Sequence, residues 1–158
     1  MGVLDGRVAI VTAGGGPGMG QAISKALAAE GAAVVVADIA KDRAEQVARE
    51  IASAGGTALA VPTDVSKASD VERMVELTVR KFGTVSILAN HAGIIPSGVI
   101  EEITEEKWDR ARGVHRKGAF LCSRAGIPHR RKQRWGRIVC TSSRAGSRAM
   151  RSTQGLSE

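Results

Sequence analysis

The sequence predicts an α/β fold: a doubly wound parallel sheet of five strands in the order 3-2-1-4-5. Three observations carry this. Short runs of Val, Ile and Ala alternate with longer stretches of helical period, the rhythm of a parallel sheet covered on both faces. A glycine-rich turn, Thr12-Ala13-Gly14-Gly15-Gly16-Pro17-Gly18-Met19-Gly20, follows the first apolar run directly and opens a helix-like stretch. Right-handed crossovers then place a reversal of strand order between the first and fourth strands.

The elements follow in order. Val8-Ala9-Ile10-Val11 centres a strand over 7–12, and a helix over 18–30 begins inside the glycine turn. Ala33-Val34-Val35-Val36-Ala37 gives the second strand, over 33–38, ending on Asp38. Val47, Ala48 and Ile51 give an apolar face to a helix over 41–54. The third strand spans 57–62. Val71, Met74, Val75, Leu77 and Val79 mark the apolar side of a helix over 67–82, with Ser66 as its expected N-cap. The fourth strand spans 85–90. A long helix over 105–127 opens on Thr104-Glu105-Glu106, acids that suit the positive end of the helix dipole. The fifth strand spans 137–142. Residues 144–158 have no period and are expected to form a tail on a single domain, 1–158, whose folded core is 1–143.

Composition narrows the function classes. No apolar run is long enough to span a bilayer. The N-terminus has no signal-peptide core, and Gly6 stands where a myristoylation motif wants Ser or Thr. The cytoplasm is the expected compartment. Cys122 and Cys140 form no CxxC pair and read as reduced core thiols. His91, His115 and His129 lack metal-ligand spacing, so no metal site is expected. Charge is lopsided: residues 1–106 hold 9 Lys or Arg against 14 Asp or Glu, while residues 107–158 hold 14 against 2. A basic half can attract nucleic acid, but the chain offers few aromatics for stacking, and a solvated helix face explains the charge equally well.

The glycine turn carries the chemistry. A tight turn at a helix N-terminus presents backbone N–H groups to a pyrophosphate, and glycine lets the phosphate approach closely. Asp38 lies 18 positions after Gly20, near the spacing at which a carboxylate meets the adenosine ribose hydroxyls. A Rossmann-type dinucleotide site is therefore expected.

Further motifs make the chain similar to the short-chain dehydrogenase/reductase family. They are Gly14-xxx-Gly18-x-Gly20, Asp64-Val65 after the third strand, Asn90-His91-Ala92-Gly93 after the fourth, and Ile138-Val139-Cys140-Thr141-Ser142-Ser143 on the fifth. The resemblance implies that Gly14, Gly18, Met19 and Gly20 take the pyrophosphate. It implies that Asp38 holds the ribose, that Asp64 and Val65 meet the adenine, and that Asn90, Ala92 and Gly93 border the cofactor. Asp38 and the absence of a basic residue in 13–20 favour NAD; Lys41 and Arg43 leave room for NADP. The implied substrate is a small alcohol or ketone, and the implied assembly a homo-oligomer.

The chain also departs from the family. Ala13 is an extra residue between Thr12 and the first glycine. The family's catalytic Asn falls on His115 and its Ser on Ser143. Its Tyr falls on Leu156, and its Lys would fall at 160; the 158 residues contain no Tyr. The expected piece is thus the N-terminal portion of the family fold, with hydride transfer weak or absent. Ser143 remains to polarise a carbonyl. His115 either carries the proton, as imidazole exchanges protons near neutrality, or replaces a structural Asn by bonding backbone. A nucleotide- or nucleic-acid-binding module without chemistry, and a Ser143–His115 hydrolase without an orienting acid, are the alternatives.

Overall fold

The computed structural model describes residues 2–96 and 98–143. The sheet order is β3-β2-β1-β4-β5, as the alternation of elements requires. The strands are β1 (Val8–Thr12), β2 (Ala33–Asp38), β3 (Thr57–Pro62), β4 (Ile87–Asn90) and β5 (Arg137–Cys140). All four strand pairings are parallel, and Ile10 stands between Val35 of β2 and Leu88 of β4.

Successive strand residues alternate between two cores. Ala9, Val11, Val34 and Val36 pack on one face with Ala28 of α1 (Met19–Ala29) and Ala44, Val47 and Ile51 of α2 (Lys41–Ser53). Ile10, Val35 and Leu88 pack on the other with Val71, Met74 and Val75 of α3 (Ala68–Phe82) and with Leu121 and Cys122. Burial on both faces is why these strands read as unbroken apolar runs. No helix of the described residues is long and apolar enough to cross a membrane.

Three expectations are corrected. Ser66 does not cap α3: Lys67 holds the N-cap position without a side-chain bond, and the Ser66 hydroxyl donates instead to Asp64 Oδ1, 2.7 Å away. The single helix over 105–127 is α4 (Glu105–Arg112), a π-helical turn (Gly113–Lys117) and α5 (Gly118–Gln133). Pro128 does not end α5. It lies on the exposed side, where water can satisfy the carbonyl it leaves without a partner. Cys122 is buried as expected, but Cys140 is exposed, because β5 pairs only with β4 among the described residues. The expected tail, 144–158, lies outside the described residues. Thr104 caps α4, accepting from the Lys107 N–H at 3.3 Å.

Candidate functional site

In an open parallel sheet, ligands bind beyond the carboxyl ends of the strands, where strand order reverses. Here that crevice opens between β1 and β4, and the residues after both strands meet in it.

The glycine turn is tied to the sheet and to α1. The Gly14 N–H donates to the Ala37 carbonyl at 3.0 Å, and the Gly16 N–H to the Ala13 carbonyl at 3.1 Å. Gly18 has φ +85° and holds the N-cap position of α1, a backbone conformation that glycine adopts without cost. Gly20 sits so close to the turn that a Cβ there would fall on the Ala13 carbonyl oxygen. Ala13 itself has φ +52°, strained for a residue with a Cβ. The extra residue in the turn is thus accommodated by a left-handed kink. Met19 begins α1 with its side chain exposed.

Two residues that sequence reasoning missed brace this turn. The Ser24 hydroxyl, fully buried in α1, lies 3.1 Å from the carbonyl oxygens of both Gly14 and Gly20. The Thr12 hydroxyl accepts from the N–H groups of His91 and Ala92, at 2.9 and 3.0 Å, and donates to the Ala89 carbonyl. Their signal was a polar residue at an inward position of an otherwise apolar element.

Asp38, Asp64, Val65, Ala92 and Gly93 line one cleft of about 220 Å³, together with Ile39, Thr63, Ile94, Arg110 and Val114. Asp38 is 4% exposed. Its Oδ1 accepts from the Ala40 N–H at 2.9 Å, and the Arg43 guanidinium lies 3.9 Å away. Asp64 Oδ1 accepts from the Ser66 N–H and hydroxyl. Burial pushes the Asp64 carboxyl upward, but the Ser66 bonds and the positive charges of Lys67 and Arg110 outweigh it, leaving the group below its ordinary value.

A smaller cavity of about 50 Å³ adjoins, lined by Asn90, His115, Cys140 and Thr141 among others, and it shares Val65, Ala92 and Val114 with the first. Asn90 Nδ2 donates to Ser123 Oγ at 3.4 Å and to Cys140 Sγ at 3.6 Å. The π-helical turn carries His115 toward the loop after β4, where its Nε2 lies 2.6 Å from the Ile94 carbonyl oxygen and 3.1 Å from the Ile94 nitrogen. Ser143, exposed beyond β5, is not among the residues lining either cavity. Among the described residues no cluster of His, Cys, Asp or Glu could hold a metal ion.

The arrangement fits a dinucleotide. Side chains at Gly14 and Gly20 would meet Ser24, Val11 and Ala13, so the tight turn needs glycine at both, and a buried carboxylate at the end of β2 lines a cleft of about 220 Å³.

Comparison with known proteins agrees. The short chain dehydrogenase family matches residues 7–155. An uncharacterized oxidoreductase of Thermotoga maritima is 40% identical over 143 residues, covering 90% of this chain and 56% of that protein. The meso-2,3-butanediol dehydrogenase of Serratia marcescens is 39% identical over 143 residues, with 90% and 55% covered. A peroxisomal multifunctional enzyme type 2 of Drosophila melanogaster is 38% identical over 151 residues, which make up 25% of its length. The chain thus spans about half the length, or less, of these relatives. A solved 7α-hydroxysteroid dehydrogenase, complexed with NADH and 7-oxo glycochenodeoxycholic acid, superimposes with a TM-score of 0.87 at 32% identity, covering 93% of this chain and 57% of that one. Motifs, strand order and relatives converge: the chain belongs to the short-chain dehydrogenase family.

Proposed function

We propose that this chain binds NAD(H) across the β1/β4 crevice as part of an oxidoreductase acting on an alcohol or ketone. The convergence of Asp38, Asp64, Val65, Ala92 and Gly93 on one cleft carries the reading. Gly14, Gly18, Met19 and Gly20 would take the pyrophosphate, Asp38 the adenosine ribose, and Asn90 the inner wall toward the second cavity. The nicotinamide, when bound, supplies or accepts the hydride. Asp38 favours NAD because a carboxylate accepts hydrogen bonds from ribose hydroxyls but repels a 2′-phosphate. NADH titration tests this: Asp38→Ala should weaken NADH more than NADPH, and equal losses would refute the assignment.

For the 158-residue polypeptide we propose weak hydride transfer at most. Reducing a carbonyl requires a proton for the developing alkoxide, and general acid catalysis is worth about 10²–10⁴-fold. The chain has no Tyr to give that proton. Ser143 would polarise the carbonyl, and His115 would be the remaining proton carrier. The contact of His115 Nε2 with Ile94 favours the second reading, a module that binds the dinucleotide without turning it over. Nicotinamide absorbance separates the two. Turnover that falls in His115→Asn would assign the proton to the imidazole, and absence of turnover with intact NADH binding would support the binding module.

We also propose self-association through β5. Among the described residues β5 pairs only with β4, and Ile138 and Val139 are 43% and 60% exposed; an uncovered strand edge invites pairing with another strand. A strictly monomeric species in sedimentation at high micromolar concentration would exclude it.

A further inference from the structure

The cleft contains a cation that no recognised motif assigns. Arg110 stands in the last turn of α4, four residues before Val114, and both line the cleft with Asp64, Val65 and Ile94. Basic residues at the end of a helix often serve its dipole, and Arg112 on the same turn does so equally well without reaching the cleft. Arg110 forms no ion pair within 4 Å among the described residues, although its charge acts on Asp64. Its guanidinium is therefore available at the cleft, which the apolar side chain of Ile39, 65% exposed, also lines.

We propose that Arg110 is a further cofactor-binding residue, closing the adenine end of the cleft by packing its guanidinium against the purine. This rests on the dinucleotide reading above. Among the described residues that line the cleft, Asp38 and Asp64 are the only other charged side chains, and the ligand carries a pyrophosphate. A planar, weakly hydrated cation can meet an aromatic face and offset that charge at once. Lysine at this position would keep the charge and lose the flat contact. Lys107, one turn earlier, lines an adjoining groove with Ile95 and Pro96 that shares Ile94 and Arg110 with the cleft; Lys107 itself does not line the cleft, so it reports on charge alone.

The test is competition of AMP against NADH in fluorescence titrations of the full chain. Arg110→Ala should weaken AMP and NADH by the same factor, about threefold to tenfold, with an unchanged melting temperature. Arg110→Lys should recover part of the loss, and Lys107→Ala should leave AMP binding as it is. Unaltered AMP affinity in Arg110→Ala, beside a weakened Asp38→Ala, would overturn the proposal and leave the dinucleotide site standing. An equal loss in Lys107→Ala would also overturn it, as an effect of net charge. Absence of NADH and AMP binding to the unaltered chain would remove both the proposal and the reading beneath it.

Discussion

The His115 imidazole occupies the space over Gly93: a Cβ on Gly93 would lie 2.6 Å from His115 Cε1. The same ring holds the backbone of Ile94 through Nε2. The π-helical turn and the loop after β4 are thus locked together, and that loop supplies one wall of the nucleotide cleft. Gly93→Ala should push the ring away, destabilise the fold by about 1–3 kcal/mol and weaken NADH. His115→Asn carries both a donor and an acceptor toward Ile94 and should bind NADH within about threefold of the unaltered chain. His115→Ala leaves those groups without the bond, at a cost of about 1 kcal/mol. NADH titration beside urea unfolding checks all three, and an undisturbed Gly93→Ala would show that the ring is not confined.

Ser24 gives a second prediction. One buried hydroxyl lies between the carbonyls of Gly14 and Gly20, at the two ends of the phosphate-facing turn. Ser24→Ala removes the only donor there of the described side chains and leaves a buried acceptor unmet, at a cost of about 1–3 kcal/mol. Cofactor affinity should fall with stability, because the turn positions the N–H groups that would meet the pyrophosphate. Unchanged NADH affinity in a destabilised variant would separate the brace from the site.

Much of this arrangement was legible in the sequence, and the rest had physical reasons to be hidden. Strands buried on both faces must be apolar throughout, so β1 and β2 announced themselves, and Asp38 stood out as the carboxylate ending such a run. The π-helical turn did not. It depends on Gly118 packing so tightly that a Cβ would meet Val65 Cγ2 at 2.8 Å, a contact between residues far apart in sequence. Cys140 read as core because its neighbours are apolar, whereas its exposure is set by the strand pairing of β5. Arg110 looked like any solvated helix residue, since only the fold brings it beside Asp64.

The two thiols should behave differently. Burial pushes the Cys122 thiol up to about 12, so little of the reactive thiolate forms at neutral pH. Cys140 is exposed. A thiol-reactive disulfide reagent should modify Cys140 in the native protein and reach Cys122 only on unfolding. Two fast-reacting thiols would contradict the burial of Cys122 on the core-facing side of α5.

Asp64 makes stability depend on pH. Its carboxyl sits below its ordinary value in the folded chain, so the unfolded chain binds a proton at higher pH than the folded one. The stabilisation is therefore fully present above the unfolded value and is lost as pH falls through the folded one. The difference in unfolding free energy between the unaltered chain and Asp64→Asn should be constant near neutrality and shrink below about pH 4. A difference independent of pH down to about 2 would mean that the Ser66 bonds do not favour the ionised form.

Arg130 is the clearest case of a residue the fold tolerates at a cost. It is 8% exposed in α5. Its guanidinium lies over Gly126 and its methylenes over Gly136, where Cβ atoms would meet it within 3 Å. NH2 donates to the Ser123 carbonyl at 3.3 Å, while NH1 has no hydrogen-bond partner among the described residues. Burial draws the group below its ordinary value, the signature of a charge held away from water. A buried charge without a partner costs several kcal/mol, and an apolar side chain of similar length avoids that cost. Arg130→Met should therefore raise stability by about 1–3 kcal/mol, seen as a higher urea midpoint with an unchanged slope. Arg130→Ala should gain less, because it also opens a cavity. Arg131→Met, exposed on the same turn, should shift stability by no more than about 0.5 kcal/mol. A loss of stability in Arg130→Met would show that the guanidinium is partnered after all and that its single bond to Ser123 is not the whole of its environment.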